Sequence, residues 1–197
     1  MNESNVVRGY GPLDRIIAEW RHNKALNLMG TDQAGKTILD IGCGLHPYFL
    51  KKTAFSHKFG VDASIDGNFT LDNIEIKKVD LDSAELPFED NYFDVITMLA
   101  VIEHIYPENV LAVLRQLRRV LKPDGKLIIT TPSPWADWLL RAMAKMKMIS
   151  SEEIDDHKAA YSHSDMVKMM VDAGFEKPRI KAGYFELFYN VWVLAVK

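Results

Sequence analysis

The chain has 197 residues, 48% of them hydrophobic, with a formal net charge of -3 and a pI near 6.1. That length and apolar content suit one well-buried core and fall short of two ordinary enzyme domains, so a single domain over 1–197 is expected. Basic residues are scattered as pairs, Lys51-Lys52, Lys77-Lys78 and Arg118-Arg119, which argues against nucleic acid as a partner.

Taken in chain order, Met1 to Gly11 carries no basic-then-apolar leader pattern. Leu13, Ile16, Ile17 and Trp20 then recur at helical spacing after Pro12, predicting a helix from Pro12 to about Met29 that covers the sheet or the pocket. Next, Thr37-Ile38-Leu39-Asp40-Ile41 is a near-continuous apolar run, the mark of a parallel strand buried on both faces. It ends in an acid and a paired-glycine turn, Gly42-Cys43-Gly44, where side-chain bulk is absent and backbone can approach a ligand. Pro47 to Lys52 is expected to open a helix whose first amides face that ligand. A second apolar segment, Phe59-Gly60-Val61, ends at Asp62, about twenty residues beyond Gly42, where an acid accepts hydrogen bonds from ribose hydroxyls.

Between Ala63 and Ile74 the turn-rich Ser64-Ile65-Asp66-Gly67-Asn68 leaves room only for a short, irregular helix. Further strands are predicted over Glu75 to Val79, Phe93 to Leu99 and Lys126 to Thr131, all rich in β-branched residues. Val110, Leu114, Leu117 and Leu121 share a helical face, so Pro107 to Leu121 bridges two of these strands until Pro123-Asp124-Gly125 stops it. Trp135 to Ile149 carries Trp138, Leu139, Ala142, Met143 and Met146 as a helical stripe, a pattern shared by ordinary core, dimer contacts and substrate covers. Ser162 with Asp165 forms the signature of a capping box, opening a helix that stops at Gly174. Arg179 to Tyr184 and Phe188 to Val196 read as a closing hairpin. The apolar end, Phe185 to Val196, interrupted by Asn190, is too short to span a bilayer, so no membrane association is expected. The repeating βα order predicts right-handed crossovers around a parallel sheet.

With these residues in view, Leu39 to Gly44 and Gly60-Val61-Asp62 resemble the class I S-adenosylmethionine-dependent methyltransferases. Asp82 to Phe88 looks like that family's acid before a Leu-Pro-Phe turn. Phe93-Asp94-Val95-Ile96 looks like its fourth strand, Leu121 to Leu127 like its fifth-strand entry, and Ala173-Gly174-Phe175 like the turn before its last strands. The likeness covers Thr37 to Phe175 in order. It implies an α/β, Rossmann-like three-layer sandwich with a mostly parallel seven-stranded sheet, a C-terminal antiparallel hairpin and strand order 3-2-1-4-5-7-6.

It also implies S-adenosyl-L-methionine as cofactor. Asp40 and the turn Gly42, Cys43 and Gly44 would hold its methionine end, Asp62 its ribose and Asp82 its adenine amino group, with Ala63, Leu81 and Leu99 completing the set. The chain departs from the family pattern at His46, where many members carry a third glycine. Glu103-His104, after the fourth strand, is the expected catalytic pair, with His104 able to take a proton from an acceptor. A histidine packed under the next helix is the plainer reading of the same residue. Some relatives bind a divalent metal there through Glu-x-x-Glu-His. Here Ala100 replaces the first acid, and Cys43 with His46 lacks a second ligand pair, so no metal is expected.

Residues 133–162 are the expected lid, with His157, Tyr161 and His163 at its mouth. The resulting expectation is a cytoplasmic monomer or homodimer that methylates O, N or C of a small-molecule acceptor. The lone Cys43 fits a reducing compartment. A cofactor-binding scaffold without turnover is the alternative. A nicotinamide dehydrogenase is disfavoured because the turn lacks the last glycine for close helix packing.

Overall fold

Strand β1 (Thr37–Ile41) is buried at all five positions, because neighbours pair with it on both edges and layers cover both faces. In this computed structural model, residues 12–136, 157–186 and 189–197 are described. Parallel partners of β1 are β2 (His57–Asp62) and β5 (Phe93–Leu99), in registers that set Asp40 against Gly60 on one side and Thr97 on the other. The remaining strands are β3 (Phe69–Leu71), β4 (Ile74–Lys78), β6 (Leu121–Pro132), β7 (Ile180–Phe185) and β8 (Asn190–Val196). They complete a sheet ordered β3-β4-β2-β1-β5-β6-β8-β7. Without β3 this is the expected seven-strand order, including the antiparallel β8 and β7 at one edge.

The eighth strand corrects the sequence reading, which placed a short helix between Ala63 and Ile74. The chain instead runs back along the sheet edge as β3 and reverses through Asp72 and Asn73, at φ 50° and 62°, with Leu71 paired to Ile74. Two successive left-handed residues make the turn whose twist suits a tight hairpin. This extended return brings the chain from the end of β2 to the start of β4 and does the work of a crossover helix.

Helix α1 (Pro12–Met29) forms as expected, but its docking differs. Ile16 and Trp20, on the predicted apolar stripe, are 44% and 50% exposed, while Ala25 and Met29 are buried. The helix thus grips the core by its last turns. There Lys126 Nζ donates to the Met29 carbonyl at 2.9 Å and Gly30 takes φ +83°, ending it in the manner of a left-handed cap. Helix α2 (Tyr48–Lys51) is a single turn, too short for the dipole expected at its start. Helix α3 (Pro107–Val120) buries Val110, Val113, Leu114, Leu117 and Val120 on one side. Helix α4 (His163–Asp172) opens with the expected capping box between Ser162 and Asp165 and buries Met166 and Met170. Most of the predicted lid, including the Trp138 to Met146 stripe, lies outside the described residues. No helix among the described residues is long and apolar enough to cross a membrane.

On one side of the sheet Phe93, fully buried, meets Phe59, Phe88 and Tyr92 edge to face at centroid separations of 5.6, 4.9 and 5.0 Å. Such pairs add about 0.5–1.5 kcal/mol each beyond the area they bury. Phe93→Ala should therefore lower unfolding free energy by about 3–5 kcal/mol, read from urea denaturation; a loss under about 1 kcal/mol would show that the cluster is incidental.

Candidate active site

The carboxyl ends of β1, β2 and β5 meet around Gly42. At φ +75° this residue takes a conformation that side chains resist, and a Cβ there would stand 2.3 Å from Val101 Cγ2. Sequence reading expected the turn's amides to face a ligand. Two of them do not, because Gly42 N and Cys43 N both donate to the Val61 carbonyl, at 2.8 and 3.3 Å. They tie the turn to β2. The third, Gly44 N, donates to Asp62 Oδ2 at 2.8 Å, and Asp62 Oδ1 accepts from Ser64 N and Ser64 Oγ at 2.8 and 2.6 Å. The structure thus joins Gly44 and Asp62 as one unit. Ala63 beside them is exposed.

Asp40 sits at the end of β1, 4% exposed, and its Oδ1 accepts from Thr97 Oγ1 at 2.6 Å. Burial pushes its pKa up to about 7, the nearby Asp62 charge adds to the rise and the Thr97 hydroxyl opposes it. Thr97 was missed by sequence reading, although a threonine within Val95-Ile96-Thr97-Met98 was a visible polar interruption and β5 sets it directly across from Asp40. Cys43 points away from the turn's outer face: a Cβ on Gly60 would stand 2.4 Å from its Sγ. Burial and the two nearby carboxylates push its thiol up, so it is an inert packing group. His46 is exposed, its ring 5.9 Å from that of Tyr48, and the bulk at this departure from the family pattern turns toward solvent.

Leu81 and Asp82 follow β4 and are half-buried. Asp82 Oδ1 accepts from Tyr106 N at 3.1 Å and Asn109 Nδ2 at 2.9 Å, fastening this loop to the start of α3. Leu99 is half-buried at the end of β5. Beyond it Ala100 turns left-handed at φ +57°, a rare conformation for a residue with a Cβ, and a 3-10 turn over Ile102–His104 follows.

Glu103 in that turn is 1% exposed. Its Oε2 accepts from Thr131 Oγ1 at 3.0 Å, while Oε1 is buried with no hydrogen-bond partner among the described residues. His104 is half-buried, its ring centroid 5.0 Å from that of His157. The Glu103 carbonyl accepts from Lys158 N at 2.8 Å and Ala159 N at 3.3 Å, so the segment that carries His157 is stitched onto the 3-10 turn. Tyr161 lies close by; burial first, then the Glu103 charge, raises its phenol above the ordinary range. His163 instead reaches Tyr184, with Nδ1 3.3 Å from its hydroxyl.

The profile of a methyltransferase domain matches residues 14–178. A demethylmenaquinone methyltransferase of Oceanobacillus iheyensis is 25% identical over 90% of this chain and 87% of its own length. The ubiquinone/menaquinone biosynthesis C-methyltransferase UbiE of Shewanella is 32% identical over 52% of this chain, which spans about half of that relative's length, 46%. A crystal structure of a SAM dependent methyltransferase from Archaeoglobus fulgidus superposes with a TM-score of 0.70 at 16% identity, covering 93% of this chain and 94% of the other. The residues present fit the cofactor that this family uses. A Cβ on Gly44 would meet nothing within 4 Å, leaving the turn's outer face open to close approach, and the buried Asp40 carboxyl suits a cationic guest. With profile, fold and site in agreement, the chain belongs to the methyltransferase-domain family, the S-adenosylmethionine-dependent enzymes of class I fold.

Proposed function

We propose that this protein transfers a methyl group from S-adenosylmethionine to oxygen, nitrogen or carbon of a small-molecule acceptor. The observation that carries the reading is the meeting of Asp40, the Gly42–Gly44 turn and Asp62 at one sheet edge, with Glu103-His104 just beyond β5. The names of the relatives, a quinone-pathway C-methyltransferase and a demethylmenaquinone methyltransferase, support a small organic acceptor.

When bound, the cofactor supplies an electrophilic methyl group on a positively charged sulfur. Asp62 is oriented by Gly44 N, Ser64 N and Ser64 Oγ, which take three of the about four acceptor sites a carboxylate offers and leave one, on Oδ2, for a ribose hydroxyl. Asp40 sets a carboxyl beside the cationic methionine end. Asp82 spends Oδ1 on Tyr106 and Asn109 and presents its other oxygen to an adenine amino group. His104 takes a proton from an oxygen or nitrogen acceptor, and the packed walls hold acceptor and methyl in line. The mild acidity of the chain and its scattered basic pairs support an acceptor other than nucleic acid. The single buried thiol supports a cytoplasmic location, where nothing oxidises it. No observation favours the scaffold alternative, which leans on the altered turn at His46 and on Ala100 in place of an acid.

Calorimetric titration with S-adenosylmethionine and S-adenosylhomocysteine tests the reading; heat from neither at millimolar concentration would reject it. Asp62→Ala removes a charged acceptor and should weaken binding by roughly 10- to 100-fold, at about 1.5–3 kcal/mol for such a bond.

Asp40 yields a second expectation. Its folded pKa lies above its unfolded value, so the stabilisation it gives is complete below the ordinary carboxylate range and fades as pH rises through about 7. Unfolding free energies of the ligand-free protein should therefore decline between about pH 4 and 7 relative to Asp40→Asn and level off above that. Parallel profiles for the two proteins would mean that Asp40 is already ionised in the fold.

A further inference from the structure

Glu103, His104 and His157 each place one donor atom within 4.8 Å of the others. We propose that these three side chains bind one divalent first-row transition ion, and that this ion holds an oxygen-bearing acceptor at the site read above as the methyltransferase centre, on which reading this role rests; His104 is then a ligand in place of the proton acceptor assigned to it above. The sequence argued against a metal here because Ala100 stands where a first acid would. The third ligand arises from another part of the chain, beyond residues 137–156.

Three independent features mark a built site. Glu103 is 1% exposed and its Oε1 is aimed into protein with no hydrogen-bond partner among the described residues, a costly arrangement for a carboxylate unless a cation or donor meets it. Its other oxygen is fixed by Thr131 Oγ1 at 3.0 Å, the outer contact that orients a ligating carboxylate. The imidazole of His157 is brought to that of His104 by backbone bonds from Lys158 and Ala159 to the Glu103 carbonyl, so the spacing of the three donors is set by the fold.

Donor chemistry selects the ion. Two imidazoles with one carboxylate suit zinc, manganese, iron, cobalt or nickel, whereas magnesium and calcium favour oxygen-only shells. Ligand bonds of about 2.0–2.2 Å put donor atoms roughly 3 Å apart, so gathering three that already lie within 4.8 Å takes side-chain torsion and no backbone movement. Three protein ligands leave at least one coordination position for a hydroxyl or carbonyl oxygen, which narrows the acceptor class to molecules that carry one.

The full chain, freed of metal by dialysis against chelator, should be titrated with cobalt(II), following visible absorption and calorimetric stoichiometry. One equivalent should bind with the d–d bands of a nitrogen- and oxygen-ligated ion. His157→Ala, in a half-buried position, should weaken binding at least tenfold, and Thr131→Val by roughly 10- to 100-fold, as outer-contact losses do. S-adenosylmethionine affinity, measured in parallel on each variant, separates the two readings. Cofactor binding without cobalt binding overturns the metal site and leaves the methyltransferase reading standing. Cobalt binding that His157→Ala leaves unchanged also overturns it, since the ion would then occupy other groups. Cobalt binding without cofactor binding would keep the ion and remove its assigned role.

Discussion

The left-handed turn at Gly42 fixes what the carboxyl edge of the sheet can do. With φ at +75° and Val101 Cγ2 where a side chain would begin, only glycine lets β1 reverse there. The reversal sends two amides to one carbonyl, Val61, which locks the turn to β2. It also requires Val101 to lie over the turn, and Val101 arrives there because Ala100 breaks from β5 in its own left-handed conformation. Two strained residues on neighbouring strands thus hold each other in place. Between them they set the positions of Asp40, Asp62 and Glu103.

Those three acids solve the cost of burial differently, and the differences indicate what each can meet. Asp62 has hydrogen-bond donors on both oxygens and serves as a rigid acceptor. Asp40 is deeply buried, which lifts its proton affinity to near neutrality against the opposing Thr97 hydroxyl. A cationic guest would offset that desolvation in a way that a neutral guest could not. Glu103 is held by Thr131 on one side and open on the other, which is the state of a group that binds something else. Under the proposed function, a cationic methyl donor and an acceptor would approach one edge from opposite ends of the same acidic row.

Much of this was legible in the sequence wherever the constraint was local. The run Thr37 to Ile41 is apolar because both faces of β1 are covered, and glycine at 42 is forced by backbone geometry alone. Asp62 follows from strand length. The capping box at Ser162 and Asp165 is likewise written within four residues. Tertiary facts were not legible. Phe69-Thr70-Leu71 is too short to announce a strand, and Asp72-Asn73 is a weaker turn signal than a pair containing glycine. Periodicity marked a stripe on α1 but not how far the core extends beneath it, so Ile16 and Trp20 were placed inside and stand exposed. The approach of His157 to His104 depends on backbone bonds between segments far apart in the chain, and no spacing rule encodes it.

That last contact bears on how acceptor choice is built into such a fold. The strand ends and turns that carry Asp40, Gly44 and Asp62, the groups proposed to hold the cofactor, are fixed by sheet register. The stretch from 137 to 156 departs from the buried Ala136 after β6 and returns at His157, beside Glu103. Changes at its returning anchor therefore reach Glu103 directly, through the carbonyl that Lys158 and Ala159 share. Under the proposed function, His157 is where an acceptor-facing segment would meet the reacting edge: it adjoins the first by sequence and the second by position.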